Sequence, residues 1–462
     1  LTLLPEPRWS HLAAVLHTVA RQAGRFNRPR AAALFGMLEL NSDYLSVRSM
    51  PPHGTDVRGG DGIVYRATWT QGFQFHPLAN FGALNSDITH RNDGRAEKHA
   101  EALAARMVRR RLKGVWEYYF PFGGGWPPWT SGMAQAAAAH ALARAGTRYD
   151  RPFFLRVAGR AYRSIPEGFA MQLSAGPWVR LYRFNRLVVL NAQLQSVVSL
   201  GVYAALSGDT TAAGYSERMK RAADTMFPRF ETRYWSRYSL GQESPPRYHV
   251  YVISLLRKLA ARTGEAAWTR RADRFHRYTV EPPVFRPGRR SPTLYPVPAE
   301  GYRDVARIRF WLSKISEVTL TIAGEQRVYQ LSGGWHTVKW WPGGRAPGTY
   351  RPTVRAVDFA GNRGSAALRP IVIKRDREAP VMRASVSGRT LTWRAVDEGT
   401  PSLRLRVLID RLDVHRVIRL GTYPLSGSLR LPLPRGYWNA TLVAIDSSGN
   451  RTWVPLGVVP KL

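Results

Sequence analysis

The sequence predicts a multidomain protein in which an α/α toroid over residues 1–284 is followed by two all-β sandwiches over residues 285–376 and 377–462. In the first part, apolar residues recur at helical spacing, and the helices come in pairs with longer excursions between the pairs. In the second part, apolar and polar residues alternate as in strands that bury one face. Prolines recur from Pro282 to Pro298, which predicts a linker between the two parts.

The second part contains an internal repeat. The word Ala-(Val/Ile)-Asp-x-x-Gly-Asn-Arg occurs twice, with its aspartates at Asp358 and Asp446. A spacing of about 90 residues is the size of one immunoglobulin-like sandwich, and the glycine of each copy favours a turn with positive φ. The copies resemble bacterial immunoglobulin-like or fibronectin-like modules. This resemblance predicts a role as a spacer or in surface attachment rather than in catalysis.

The stretch 123–135 leads into a helix of the first part. Before this helix, three glycines allow backbone conformations closed to other residues, and two prolines hold the chain extended. Thr130 or Ser131 can cap the helix that follows. Trp126 and Trp129 lie on this approach. They fit the rim of a sugar-binding cleft, because flat aromatic faces pack on pyranose rings, and they fit equally well as buried anchors of a helix end.

The charge of the chain is strongly positive. Its 68 Lys and Arg residues against 32 Asp and Glu give a formal charge of +36, which favours a polyanionic partner, although genome composition also contributes to arginine excess. We find no nucleic-acid-binding motif, and therefore expect an acidic polysaccharide and no nucleic acid. The chain contains no cysteine, which excludes disulfides and thiol catalysis. No apolar run has the length of a membrane span.

The sequence lacks phosphate-loop, metal-ligand and paired-carboxylate signatures, so we expect no metal and no cofactor. Instead, the excursions between helix pairs place tyrosine beside arginine. A neighbouring cation can stabilise a phenolate and lower a tyrosine pKa from about 10. Such a pair can remove a proton next to a carboxylate while an arginine neutralises that carboxylate. A packed aromatic ring beside a solvated arginine is the other interpretation. The groups are Tyr182 with Arg180 and Arg183, Tyr238 with Arg237, and Tyr248 with Arg247 and His249.

The order of several short words over residues 65–280 resembles the D-glucuronyl C5-epimerase family, particularly its C-terminal region. The most specific word is Trp-Thr-Ser-Gly-Met-Ala-Gln at 129–135. The weaker words are Gln-Gly-Phe at 71–73, Arg-Ala at 144–145, Val-Leu-Asn at 189–191, Tyr-Ser-Leu at 238–240 and Tyr-His at 248–249. That family inverts C5 of a glucuronic acid within a heparan-type chain, by removing a proton and returning one from the opposite face.

The resemblance implies roles for individual residues. Tyr248 matches a tyrosine at the acid/base centre, and Tyr238 and Tyr182 match two further cleft tyrosines, while Asn191 and Gln135 would face the same cleft. Two positions depart from the family pattern. Leu181 stands where the family has a glutamate, and Gly241 stands where it has an arginine. The missing carboxylate is compatible with a different catalytic pair, a different uronate or the loss of catalysis.

We therefore predict a bacterial uronic-acid C5-epimerase-like isomerase that acts on acidic polysaccharide and is secreted or held at the cell surface. Tyr248, Tyr182 and Tyr238 would be the catalytic proton carriers. A polysaccharide lyase and a non-catalytic glycan-binding protein are the alternatives, and a homodimer is left open. The expected substrate-binding residues are Arg180, Arg183, Arg237, Arg247, His249, Trp129, Gln135 and Asn191.

Overall fold

The computed structural model describes residues 6–290, 292–299, 301–412 and 414–459. Contacts between residues divide the chain into two compact units, Leu1–Thr279 and Val280–Leu462. The first unit is mainly helical and the second is built from strands, so the predicted change of secondary structure along the chain is confirmed. The three-domain division with its boundaries at 284 and 376 stays a prediction.

The helical unit has long helices interrupted by short hairpins. The helices are α1 (Arg8–Arg21), α2 (Arg28–Val47), α3 (Pro77–Thr89), α4 (Asp93–Ala105), α5 (Gly132–Arg148), α6 (Pro152–Ser164), α7 (Leu190–Ser207), α8 (Thr210–Met226), α9 (Pro246–Thr263) and α10 (Ala266–Val280). The strands are β1 (Asp56–Arg58), β2 (Val64–Thr68), β3 (Gly72–Phe75), β4 (Val108–Arg110), β5 (Lys113–Val115), β6 (Ala170–Leu173), β7 (Gly176–Val179), β8 (Arg237–Ser239) and β9 (Gln242–Glu243).

The helices pack in two rows. Helix α3 packs on α5, α5 on α7, and α7 on α9, while α4, α6 and α8 each pack on the helix that precedes them. Helix α5 is central, and its buried alanines at 136–139 leave room for close approach of α6 and α7. Ser131 caps α5, since its side chain accepts a hydrogen bond from the backbone N–H of Ala134 at 3.3 Å. The two rows place the amino-terminal ends of α5, α7 and α9 beside the hairpins that precede them.

The described residues of the strand-rich unit form five sheets. Their orders are β10–β12–β15, β11–β19–β16, β14–β13–β17–β18, β20–β21–β24 and β23–β22–β25–β26. The strands are β10 (Phe285–Pro287), β11 (Thr293–Leu294), β12 (Ala306–Leu312), β13 (Ser316–Ile322), β14 (Glu325–Leu331), β15 (Gly334–Trp340), β16 (Gly348–Tyr350), β17 (Thr353–Asp358), β18 (Arg363–Ala367), β19 (Ile371–Ile373), β20 (Val381–Ser387), β21 (Thr390–Val396), β22 (Ser402–Arg411), β23 (Val414–Pro424), β24 (Ser426–Arg430), β25 (Trp438–Ile445) and β26 (Arg451–Val459).

Two separate apolar cores hold these sheets. One core includes Phe310 and Trp340, and the other includes Trp393 and Leu442. The alternation that predicted strands is visible in β12, where every second residue is buried.

The repeated word forms the same turn twice. Asp358 accepts hydrogen bonds from the backbone N–H of Asn362 at 2.9 Å and from its side-chain amide at 2.9 Å. Asp446 accepts the equivalent two bonds from Asn450, each at 2.8 Å. The glycine in each turn has positive φ, 86° at 361 and 90° at 449, as the sequence predicted. The aspartate therefore holds the turn together in both copies.

The two copies differ in how the buried aspartate is neutralised. Lys314 Nζ lies 2.8 Å from Asp358 Oδ2, and both side chains are only 1% exposed. Asp446 instead lies beside Asp376 and Asp397, with one oxygen of each carboxylate within 4.8 Å of the others. Burial, and after it the negative charge of a neighbouring aspartate, raises the pKa of both Asp376 and Asp397.

Among the described residues, no helix is both long and apolar enough to cross a bilayer.

Candidate active site

The helical unit contains a cavity of about 880 Å³ between α3, α5, α7 and α9. Phenols and cations account for much of its polar lining, and no Asp or Glu lines it among the described residues. The polar lining residues are Asn85, Ser86, Thr89, His90, His140, Arg144, Tyr182, Asn191, Gln195, Tyr238, Tyr248, Tyr251, Lys258 and Arg262. The three predicted catalytic tyrosines therefore share one cavity.

Tyr182 is placed by the segment that follows β7. Two backbone hydrogen bonds tie this segment to the start of α5, from Gly132 N to Arg180 O at 3.1 Å and from Arg183 N to Thr130 O at 3.0 Å. Gly132 is required at this approach, since a Cβ there would lie 2.6 Å from Arg180 O. The segment is therefore fixed against α5, which sets the position of the Tyr182 ring.

Tyr238 lies on β8 and Tyr248 in the first turn of α9. Their ring centroids are 5.0 Å apart with an interplanar angle of 60°. Tyr248 is the more open of the two, with 42% of its surface exposed. The hairpin β8–β9 and the start of α9 thus bring two phenols to the same wall of the cavity.

The expected lowering of tyrosine pKa values by arginine is wrong for two of these residues. Burial, and after it the charge of Tyr248, raises the pKa of Tyr238 to about 12. Burial also raises the pKa of Tyr182 well above its ordinary value. Desolvation penalises a phenolate more than the distant cations stabilise it, so both groups are protonated phenols at neutral pH.

The four predicted arginines lie apart from the lining of the cavity. Arg180 Nη1 donates to Arg183 O at 3.5 Å, and Arg237 Nη1 donates to Arg229 O at 3.3 Å. Arg183 and Arg247 are exposed. Proximity in sequence to a tyrosine therefore did not bring these side chains to the cavity. Arg237 is adjacent to Tyr238 on β8, where successive residues face opposite sides of the strand.

Other cations line the cavity instead. Arg144 on α5 donates to Asn85 O and to Asn85 Oδ1, each at 3.0 Å, and to Thr89 Oγ1 at 3.0 Å. Arg262 on α9 lies against Gly201, where a Cβ would be 3.0 Å from its Nε. Burial lowers the pKa of both guanidinium groups, which still carry a full charge at neutral pH.

Three predicted substrate-binding residues have structural partners. Gln135 Oε1 accepts from Trp116 N at 3.0 Å, and its Nε2 donates to Trp116 O at 3.1 Å. His249 is fully buried; its Nε2 donates to Phe275 O at 2.8 Å, and its Nδ1 lies 2.7 Å from Ser236 Oγ. Trp129 is 6% exposed and stacks on Tyr118 with centroids 3.9 Å apart. These contacts favour the interpretation of Trp129 as a buried anchor, while Trp126 is exposed.

Asn191 does line the cavity, at the start of α7. Its Oδ1 is buried and has no hydrogen-bond partner among the described residues. A buried carbonyl oxygen without a donor costs free energy. Asn191 is therefore the predicted binding residue whose position best fits a bound hydroxyl group.

Several cavity residues were missed from the sequence. His140 follows Met133 and Ala137 on the cavity face of α5, and Arg144 comes one turn later. Burial, and after it the charges of Arg144, Lys258 and Arg262, lowers the pKa of His140 to about 3, so the imidazole is neutral at neutral pH. The spacing of 133, 137, 140 and 144 is helical, and this pattern was the signal that could have found them.

Leu181 also lines the cavity and is 5% exposed. The structure thus places an apolar side chain where the family resemblance implies a glutamate. The site offers phenols, an imidazole, amides and cations, but no carboxylate base from the described residues.

The site is therefore a cavity between paired helices whose polar lining includes phenols and cations. Residues 110–277 match the family model described as D-glucuronyl C5-epimerase C-terminus. This segment is therefore similar to the C-terminal region of that family, and the resemblance inferred from the sequence is confirmed for it. The match supports an enzyme of the isomerase class with carbohydrate epimerase-like activity. No curated protein sequence matches the chain.

Several solved structures are similar to parts of the chain. D-mannose isomerase is 12% identical over 60% of this chain and 76% of its own, with a TM-score of 0.36. Endoglucanase Cel10 from Klebsiella pneumoniae is 11% identical over 46% and 72%, with a TM-score of 0.34. Cellobiose 2-epimerase from Spirochaeta thermophila DSM 6192 is 15% identical over 40% and 53%, with a TM-score of 0.31.

Proposed function

We propose that the helical unit is an incomplete α/α toroid that inverts C5 of uronic acid residues in an acidic polysaccharide. One observation carries this proposal: Tyr182, Tyr238 and Tyr248 converge on one cavity that is lined by cations and by no described carboxylate. A cavity of this charge attracts an anionic sugar, and the epimerase-family match supplies the reaction class.

We assign the proton transfers to the phenols. Because burial disfavours a phenolate at Tyr182 and Tyr238, these two residues suit the role of proton donor. Tyr248, with 42% of its surface exposed, is the least desolvated and is assigned the role of base. Acting as a phenolate, the base takes the proton from C5, and the electron pair delocalises into the sugar carboxyl group. A protonated phenol then returns a proton to the opposite face of C5 and is left as a phenolate. The reaction needs no redox partner, because one proton leaves and one arrives.

Isotope exchange tests this proposal. The protein is incubated in deuterated water with a glucuronate-containing polysaccharide, and deuterium at C5 is measured by NMR. We expect exchange by the unaltered protein and loss of at least about 100-fold in Tyr248→Phe, since proton transfer by a placed side chain contributes 10²–10⁴-fold. Tyr437→Phe, an exposed tyrosine in the strand-rich unit, is the matched control. Absence of exchange with every uronate polymer tested would refute epimerisation.

Leu181 gives a specific reason to keep a second candidate, a glycan-binding protein that has lost catalysis. Its apolar side chain occupies the cavity where the family glutamate is implied. Binding of a uronate polymer without deuterium exchange would favour this candidate. A polysaccharide lyase shares the first proton transfer and differs by expelling the C4 substituent. Its unsaturated product would absorb in the ultraviolet as the polymer shortens.

We also propose that the strand-rich unit comprises two immunoglobulin-like sandwiches, which act as a spacer or surface attachment in a secreted or cell-surface bacterial protein. The two separate apolar cores and the repeated aspartate turn support this assignment. Proteolysis between residues 373 and 381 should release a folded C-terminal module if each sandwich folds by itself. A homodimer of the full chain is tested by its mass in solution.

A further inference from the structure

The outer face of the sheet β10–β12–β15 carries a row of three large side chains. Arg286 on β10 pairs with Trp311 on β12, which pairs with Trp335 on β15. Residues paired in this way lie side by side on one face of a sheet. Trp335 is 51% exposed. The row therefore presents two indole rings on adjacent strands, of which Trp335 is exposed and Trp311 is half-buried.

Two guanidinium groups stack on these indoles. Arg286 Cζ lies 4.7 Å from the centroid of the Trp311 ring, and Arg309 Cζ lies 4.7 Å from the centroid of the Trp335 ring. Cation–π contact at this distance holds an arginine against one face of an indole. Each tryptophan is thereby oriented by its arginine, and each arginine keeps free donors at its edges.

The rest of this face is positively charged. Arg309 pairs with Thr337, and Arg307 pairs with Lys339 in the next outward-facing row. The alternate residues of β12 and β15, including Phe310 and Trp340, point into the core. None of the three strands contains an aspartate or glutamate. Two tryptophans thus lie among four cations, on a face whose strands carry no anion.

We propose that this Arg–Trp face, formed by Arg286, Arg307, Arg309, Trp311, Trp335 and Lys339, binds an acidic polysaccharide. The C–H faces of pyranose rings pack on the indoles, and the carboxylate groups of the sugars pair with the guanidinium and ammonium groups. Charge complementarity selects an anionic polymer. The choice of a glycan over another polyanion rests on the function proposed for the helical unit.

Equilibrium binding of the full chain tests the proposal. The probes are an unsulfated glucuronate polysaccharide, neutral dextran, polyglutamate and single-stranded DNA, each immobilised at one salt concentration. We expect Trp335→Ala to weaken binding of the glucuronate polysaccharide about tenfold while binding of polyglutamate changes less than twofold. Arg309→Lys keeps the positive charge but loses the planar group that stacks on the indole, and it should weaken binding of the glucuronate polysaccharide severalfold. Trp453→Ala is the matched control, because Trp453 is also an exposed strand tryptophan of this unit.

The outcomes separate this proposal from the catalytic one. Equal affinities of Trp335→Ala and Trp453→Ala for the glucuronate polysaccharide would overturn the proposal. A loss confined to single-stranded DNA would overturn it in favour of nucleic acid, whose bases also stack on aromatic rings. Deuterium exchange at C5 of a short oligosaccharide reports the helical unit separately. Exchange by Trp335→Ala at the unaltered rate, together with weaker polymer binding, is the expected result. Reduced polymer binding without exchange in any variant would support this face while refuting the epimerase.

Discussion

The buried pair of Lys314 and Asp358 gives a quantitative test of the strand-rich unit. The two charges are 2.8 Å apart and each side chain is 1% exposed. Replacing Lys314 by methionine keeps most of the side-chain volume but leaves Asp358 as a buried charge without its cation. Breaking one partner of such a pair costs about 3–5 kcal/mol of unfolding free energy. For a unit of this size, that cost lowers the melting temperature by roughly 6–20 °C.

Calorimetry and hydrogen exchange at the amides of β13 and β17 measure this loss and locate it. Lys374→Met, which removes an exposed lysine of the same unit, is the control and should change the melting temperature little. The double variant Lys314→Met/Asp358→Asn should be more stable than Lys314→Met, because it removes the unpaired charge and keeps an acceptor for the turn. A single variant within about 1 kcal/mol of the unaltered protein would refute the reasoning, as would a double variant less stable than the single one.

Three further predictions use other parts of the molecule. Asp397→Asn should raise the melting temperature at pH 7 in a chelating buffer, because it removes one of three neighbouring carboxylates; a lower melting temperature would contradict this. The pKa of His140 is lowered to about 3 by burial, so its contribution to stability is present above pH 6.5 and is lost as the pH falls toward 3. The free energy of unfolding, measured with denaturant, falls between pH 6.5 and 5, and this fall should be about 2 kcal/mol smaller in His140→Gln. The control is His17→Gln, which replaces an exposed histidine, and equal falls in both variants would disprove the prediction. Gly201→Ala should displace Arg262 and raise the KM for a uronate oligosaccharide severalfold, whereas Gly214→Ala, where a Cβ meets its nearest atom at 3.7 Å, should leave KM unchanged; equal KM values would remove Arg262 from substrate binding.

Local patterns predicted the secondary structure of the chain well. The helix after Ser131 and the alternation in β12 are both present, since capping and burial periodicity act within a few residues. The repeated turn was also predictable, because glycine and asparagine determine its backbone locally. The counter-ion of Asp358 could not be predicted in this way, because Lys314 lies far from Asp358 in the sequence and contacts it only in the folded sheet.

In the site too, some residues could be predicted from the local sequence, and others depend on tertiary packing. The tyrosine-beside-arginine pattern and the family resemblance pointed to Tyr182, Tyr238 and Tyr248, and the structure brings them to one cavity. The arginines next to them in sequence are directed elsewhere. The cavity takes its cations from Arg144, Lys258 and Arg262, which lie about three to four helical turns after the starts of α5 and α9. Desolvation, which raises the pKa of Tyr238, depends on the tertiary packing and could not be predicted from neighbouring residues.

The two aspartate turns have a consequence for how the strand-rich unit responds to its surroundings. In the first copy the counter-charge is a covalent part of the chain, since Lys314 Nζ lies 2.8 Å from Asp358 Oδ2. In the second copy three carboxylates lie close together, and the pKa values of Asp376 and Asp397 are raised, so their repulsion is relieved as these two become protonated and grows as the medium becomes neutral. The first half of this unit thus carries its own counter-charge, while the stability of the second half depends on the protonation of its crowded acids.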